Sequence, residues 1–484
     1  MTALGAAAVA THVPYIAGRW VDGIAGEVAV VDPATGEPLA TVRLSDTAQC
    51  LGAVDAAAAQ LDAWSATAPA RRGEILRRAY ELMVERAEEL AVLIVRENGK
   101  TIHDARGEVA YAAEFFRWFA HGADRVRGDM RRSPGGTNWI MVSHQPVGVA
   151  LLITPWNFPA AMVTRKLAPA LAAGCTVVVK PSLETPLTTF ALVEILAEAG
   201  VPPGVVNVVT PDPPGEAVAA MLADRRVRAL SFTGSTEVGR VLLRAAADNV
   251  IRSSLELGGN APFLVLDDAD LGEAVAGLLV AKLRNGGAAC TAANRVLLQA
   301  GIADEFTALF TEQLLRTTVG NGLDESTRLG PMVSAVELDR VTGYVRAAAD
   351  EGARVVVGSA GPGGAGHFHP ATLLTGLDPD SALLRREIFG PVAPVLTFVT
   401  VDDGVRLANA TDAGLVGYVY SGSLERALGV ARRLESGMVG VNRGVVSDPG
   451  APFGGVKHSG LGREGSEEGI HEFLETKYVA VPYH

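Results

Sequence analysis

The sequence predicts an α/β protein built on parallel β-sheet, and three observations carry that expectation. From Val147 onward, short continuous apolar runs alternate with stretches of helical periodicity. Strands that are apolar along their whole length belong to parallel sheets covered by helices on both faces. With 484 residues the chain is too long for one small core, so two or three domains are expected.

Residues 1–15 read as a loose arm. Over 76–94, Leu76, Ala79, Met83, Ala87, Leu90 and Ile94 recur at helical spacing, and the flanking Arg71, Arg72, Arg96, Glu97 and Lys100 read as solvated faces. The runs 149–153, 176–179, 205–209 and 229–232 read as strands, punctuated by Gly174, Pro202 and Pro203. Nucleotides bind at the carboxyl ends of such strands. A second strand–helix series runs from Pro262 to about Gly440, which places a domain change near 258–262. The segment 361–366 reads as a flexible Gly/Pro loop, and 473–481 as a terminal strand.

Net charge is -12, which disfavours nucleic acid or an anionic membrane as partner. It does not oppose a small anionic substrate, because a local cationic pocket overrides the global field. Three cysteines occur, Cys50, Cys175 and Cys290. So sparse and odd a set argues for a reducing compartment rather than a disulfide framework. The first ten residues lack a basic n-region, and no apolar run reaches membrane-spanning length, so a cytoplasmic protein is expected. No metal site is expected.

Chemistry concentrates in four segments. Cys290 follows Asn285-Gly286-Gly287-Ala288-Ala289, where the glycines permit close backbone approach. An isolated cysteine is usually a buried structural one, and Cys50 and Cys175 read that way. Cys290 reads as a nucleophile because of its company. Gly234-Ser235-Thr236-Glu237-Val238-Gly239 follows an apolar strand and opens a helix, a suitable seat for a pyrophosphate. Its spacing is neither G-x-G-x-x-G nor that of a P-loop. Lys180 ends a strand, where a cation meets ribose hydroxyls or phosphate, though a solvated strand-end lysine is as good a reading. Glu256, between Leu255 and Leu257, should have a raised pKa suited to a general base; the alternative is a paired structural carboxylate. Asn157, held in Thr154-Pro155-Trp156-Asn157-Phe158-Pro159, either donates to an oxyanion or stabilises a turn. A thiol, an amide, a nucleotide turn and a base together suit oxidation of an aldehyde through a thioester.

These segments resemble the aldehyde dehydrogenase superfamily over nearly the whole chain. Glu387-Ile388-Phe389-Gly390-Pro391 and Pro452-Phe453-Gly454-Gly455-Val456-Lys457 with Ser459-Gly460 match further signatures. The resemblance implies a Rossmann-like cofactor domain (1–130 and 150–258), an α/β catalytic domain (259–446), and a small β oligomerisation flap with the tail (131–149 and 447–484). It implies Cys290 as nucleophile and Glu256 as base. Asn157 and the Cys290 backbone N–H would form the oxyanion hole. Pro155, Trp156, Lys180, Ser182, Gly234, Ser235, Val238, Leu257, Glu387 and Phe389 would hold NAD or NADP, in a homodimer or homotetramer. Within the superfamily the chain is most similar to succinate-semialdehyde dehydrogenases, through the tract 108–129 and Thr164-Arg165-Lys166. Their substrate site maps to Arg165, Arg284 and Ser447, with Phe453 beside them. A glutarate-semialdehyde or general aldehyde dehydrogenase is the alternative. A CoA-acylating relative would lack the base Glu256, and a non-catalytic protein on this fold would have lost Cys290, Asn157 or Glu256.

The chain departs from the family pattern at several positions. Ala288 stands where Gln is usual, and Ala292 where some relatives carry a second Cys. Leu183 replaces a ribose-binding Glu, which removes repulsion against a 2′-phosphate and leans the reading toward NADP. Arg443 stands where a small polar residue is usual, so it either narrows the substrate tunnel or adds a third cation.

Overall fold

The computed structural model describes residues 10–358 and 365–483. Residues 1–9 of the expected arm and 361–364 of the expected loop lie outside them. The rest of the arm is not loose. Ala10–His12 pairs in parallel with Pro38–Arg43, and Tyr15–Ile16 joins the edge of a large sheet.

That sheet has eight strands. Its five central strands, Val149–Ile153, Thr176–Lys180, Val206–Val208, Val227–Thr233 and Arg252–Glu256, are mutually parallel. In space they run third, second, first, fourth, fifth. This is the doubly wound order, which opens a crevice beyond the carboxyl ends of the first and fourth strands. Antiparallel pieces close both edges: Tyr15–Ile16 with Arg19–Trp20 on one side, Gly460–Leu461 on the other. The continuous apolar runs have the expected cause. Ala150, Leu152, Val177 and Val179 pack into one core, and Val149, Leu151, Ile153 and Val178 into another on the opposite face. The helix Ala161–Ala173 is buried at every residue.

A second sheet of seven strands begins at Ala261–Val265, directly after Gly258-Gly259-Asn260, and ends with Met438–Val441. Its pairs are parallel except Arg354–Val357 against Thr372–Thr375. The carboxyl end of Arg252–Glu256 therefore leads straight to the start of the second sheet. A third, antiparallel sheet joins Asp129–Arg132, Asn138–Pro146 and Leu474–Pro482, and carries exposed Met130, Met141, Tyr478, Val479 and Val481. No described helix is long and apolar enough to cross a membrane.

Two expectations are corrected. The helical run over 76–94 is divided at Arg86 into Pro69–Glu85 and Ala87–Asn98. Arg72, Glu97 and Lys100 are not solvated: they are 6%, 0% and 3% exposed. Each is drawn inward by backbone groups distant in sequence. Arg72 Nε donates to Ala172 O at 3.0 Å. Glu97 accepts from Leu187 N (2.8 Å) and Thr188 N (3.0 Å), capping the helix Leu187–Ala199. Lys100 Nζ donates to Asn157 O at 2.8 Å and also pairs with Glu108.

Candidate active site

The crevice at the switch point opens into a cleft of about 1230 Å³. The loop after Val149–Ile153 supplies Pro155, Trp156 and Asn157, and the turn after Val227–Thr233 supplies Gly234 and Ser235. Ser235 caps the helix Thr236–Ala247 by accepting from Val238 N at 3.3 Å. The backbone N–H groups of that first turn have no intrahelical acceptor, which suits an anion. Leu257, Glu387, Phe389 and Cys290 complete the wall. The Trp156 and Phe389 rings meet edge to face at 5.3 Å. Glu387 Oε1 accepts from Gly259 N at 3.1 Å, and burial pushes its carboxyl up to about 7. A Cβ at Gly258 would lie 2.6 Å from Glu387 Oε2, so the glycine seats that carboxylate. A helix start, an aromatic wall and a carboxylate suited to sugar hydroxyls fit a dinucleotide. Lys180, Ser182 and Val238 do not line the cleft. Lys180 Nζ donates to Pro181 O (2.8 Å), Ser182 Oγ bonds the Glu184 carboxylate, and the Val238 side chain is half-exposed.

Cys290 lies in the turn between the helix Leu271–Leu283 and the strand Ala293–Gln299. The turn is tight: Asn285, Gly286 and Gly287 have φ of 56°, 61° and 76°. A Cβ at Gly287 would lie 2.3 Å from Gly390 O, and one at Gly259 would lie 2.4 Å from Cys290 O. Burial, then Glu387, pushes the Cys290 thiol up to about 12, against the opposing pull of Arg165 and Arg284. The resting group is a thiol that needs a base. Cys50 and Cys175 are also raised, but fully buried.

Asn157 is locked to the same turn. Its Nδ2 donates to Ala288 O at 3.1 Å, and Asn285 Nδ2 donates to Asn157 O (2.7 Å) and Ala288 O (2.8 Å). An amide has two N–H donors, so one remains for an oxyanion. These contacts use the backbone of Ala288, so the missing glutamine side chain does not loosen the turn. Behind Asn157 stands a buried frame. Lys100 Nζ donates to Asn157 O at 2.8 Å, Asn98 Nδ2 to Trp156 O at 3.0 Å, and Glu108 Oε1 accepts from Ala160 N at 2.8 Å.

Glu256 ends its strand with both carboxylate oxygens buried and without partners among the described residues. Its pKa is raised well above the ordinary carboxylate range, by burial first and by the charge of Glu464 second. A Cβ at Gly454 would lie 2.9 Å from Glu256 Oε1, so that glycine leaves the carboxyl room. Glu464 goes the other way: Lys166 and Arg165 outweigh its burial and hold it below its ordinary value.

On its other side Cys290 opens to a narrow cavity of about 20 Å³. Arg165, Arg284, Ser447 and Phe453 all line it, and so does Cys290, which thus belongs to both spaces. The two arginines differ. Arg165 Nε lies 2.6 Å from Glu464 Oε2, and its guanidinium sits 4.1 Å over the Phe453 ring. Arg284 makes no ion pair among the described residues, and stacks at 5.4 Å over Phe158. Arg443 is exposed and lines neither space, so it neither narrows the cavity nor adds a cation to it.

The profile of the aldehyde dehydrogenase family matches residues 20–479.

The chain belongs to the aldehyde dehydrogenase family.

Among its relatives, a succinate-semialdehyde dehydrogenase of Paenarthrobacter nicotinovorans is 49% identical, over 92% of this chain and 99% of the relative. A glutarate-semialdehyde dehydrogenase of Pseudomonas putida is 44% identical, over 96% and 97%. A succinate-semialdehyde dehydrogenase of Escherichia coli (strain K12), named with NADP(+), is 43% identical over the same shares. The crystal structure of an aldehyde dehydrogenase from Brucella melitensis biovar abortus 2308 superposes with a TM-score of 0.96, covers 100% of both chains and is 44% identical.

In this aldehyde dehydrogenase, sequence reasoning missed Tyr111, Phe158, Met162 and Thr291 in the narrow cavity. Signals existed for two of them. Phe158 sits inside the segment 154–159 that holds Asn157. Tyr111 follows Glu108 by three residues on the helix Ile102–Gly122, so the two share a face. Glu464, paired with Lys166 and Arg165, was also missed. It lies past the Pro452–Lys457 signature and carries no pattern of its own.

Proposed function

We propose that this aldehyde dehydrogenase oxidises a short aldehyde bearing a distal carboxylate, succinate semialdehyde before glutarate semialdehyde. One observation carries the reading. The thiol that faces the dinucleotide-sized cleft also faces a narrow cavity whose Arg284 lacks an anionic partner. A largely enclosed, unpaired guanidinium favours an anionic ligand, and a carboxylate is the planar acceptor it fits best. The cavity's narrowness favours the shorter chain, and relatives named for both semialdehydes mark the choice.

In the proposed cycle the Cys290 thiol gives up its proton to water, which is the proton released overall, and the thiolate attacks the aldehyde carbon. The second Asn157 N–H and the Cys290 backbone N–H hold the oxyanion. When bound, a nicotinamide dinucleotide supplies the two-electron oxidant; Trp156, Gly234, Ser235 and Glu387 would hold it. Oxidation leaves a thioester on Cys290. Glu256 then takes a proton from water, the water oxygen attacks the thioester carbon, and the thiol leaves. The balance is aldehyde, water and oxidised cofactor to acid, reduced cofactor and a proton. We further propose that NADP is accepted at least as well as NAD, because Leu183 presents no carboxylate and Ser182 occupies Glu184. The eight-stranded sheet, the seven-stranded sheet and the antiparallel sheet of Asp129–Arg132, Asn138–Pro146 and Leu474–Pro482 support a reading as three units, with Gly460–Leu461 of the tail crossing to the first sheet. The exposed apolar residues of the antiparallel sheet support its reading as the contact of a homodimer or homotetramer.

The test is kcat/KM for succinate semialdehyde, glutarate semialdehyde and butanal with each cofactor. The reading expects succinate semialdehyde to lead and NADP at least to equal NAD. Butanal equal to succinate semialdehyde overturns the substrate, and a strong NAD preference overturns the cofactor.

A further inference from the structure

Tyr111 stands on the helix Ile102–Gly122 with its ring edge-on to Phe115 at 5.0 Å. Its hydroxyl is buried and has no hydrogen-bond partner among the described residues. Yet the residue lines the narrow cavity beside Arg165, Arg284, Ser447 and Cys290. A buried hydroxyl without a partner is costly, and such a group facing a site is satisfied by water or by a ligand. The ligand must supply an acceptor, because the neighbouring guanidinium groups are donors only.

The charges around it narrow the choice. Lys166 and Arg165 both face Glu464, so one carboxylate already answers two cations. Arg284 adds a third with no answering anion. Arg165 keeps a buried Nη2 without a partner. An anion entering from Cys290 thus meets unused donors from Arg284, Arg165 and Tyr111. A neutral phenol adds directionality there without a fourth positive charge. Burial holds the phenol in its protonated, donating form, against the pull of Arg165 and Arg284.

We propose that the Tyr111 hydroxyl donates a hydrogen bond to the distal carboxylate of the substrate, alongside Arg284, and so helps set the preference for carboxylated over neutral aldehydes. This rests on the carboxylated-aldehyde reading above. Tyr111 then acts as a specificity residue. It touches the end of the substrate away from the reacting carbon, so its contribution falls on aldehydes that carry the acceptor.

The test is Tyr111→Phe, which removes one oxygen and keeps the ring and its contact with Phe115. The kcat/KM values for succinate semialdehyde and butanal are compared in wild type and variant. A donor lost from a charged acceptor should lower kcat/KM for succinate semialdehyde by about tenfold, mainly through KM, and that for butanal by less than about twofold. In an Arg284→Ala background the same change should cost less, because both groups grip one carboxylate. Equal losses on both aldehydes, or no loss on either, overturn the proposal. A wild type that does not prefer succinate semialdehyde overturns the substrate reading and the Tyr111 role together. A wild type that prefers it, unchanged in the variant, overturns the Tyr111 role alone.

Discussion

The wide cleft and the narrow cavity meet at Cys290 but are built in opposite ways. The cleft opens at strand ends: Gly234, Ser235, Gly258 and Gly259 line a crevice that the doubly wound strand order creates, and side chains such as Trp156, Glu387 and Phe389 wall it. The cavity is made of side chains from remote segments, Tyr111, Arg165, Arg284, Ser447 and Phe453. A site formed where a doubly wound sheet switches direction is common to many dinucleotide-binding folds. A site formed by side chains from remote segments can be altered without altering the fold. The shared wall, Cys290, must serve both.

That contrast breaks most severely at the shared wall. Cys290→Ala should reduce turnover to background with every aldehyde while cofactor binding, measured by fluorescence or calorimetry, stays close to wild type. Loss of cofactor binding would show that the two spaces are not separable. Lys100→Met should act next, because it leaves Glu108 buried without its cation. About 3–5 kcal/mol of stability is expected to go, read in denaturant unfolding, and succinate semialdehyde and butanal should suffer alike.

Arg284→Ala sharpens the contrast from the cavity side. A charge-assisted bond worth about 1.5–3 kcal/mol corresponds to about 10- to 150-fold in kcat/KM for succinate semialdehyde, with a much smaller loss for butanal. Equal losses would make Arg284 structural. The mildest test is pH. Glu256 holds its proton above the ordinary carboxylate range, so the base form appears only as pH rises. The rising limb of single-turnover deacylation should therefore lie above the ordinary carboxylate range, and a limb at an unshifted carboxylate pKa would contradict the environment described for Glu256.

The same difference decides what was legible. The four central runs appear as Val149–Ile153, Thr176–Lys180, Val206–Val208 and Val227–Thr233, within two residues of expectation, because burial on both faces leaves an unbroken apolar signal. Gly234 and Ser235 were legible for the same reason, since strand, glycine and helix cap are consecutive. The burial and raised pKa of Glu256 were legible from its apolar neighbours. Lys100 and Glu97 were not, because a charge beside an amphipathic helix is ordinarily solvated. Their partners, Asn157 O and the start of Leu187–Ala199, are distant in sequence. Arg165 and Arg284 came from resemblance alone, and resemblance did not reveal that Glu464 already engages Arg165 while Arg284 stands unpaired.

The central claim is that Cys290 carries the acyl group and Glu256 releases it. The direct measurement is rapid mixing of Glu256→Gln with NADP and succinate semialdehyde, followed by intact-protein mass. The expected result is a burst approaching one reduced cofactor per active site, then a stall, with a succinyl adduct that maps to Cys290. Steady turnover at the wild-type rate with no adduct on Cys290 would contradict it.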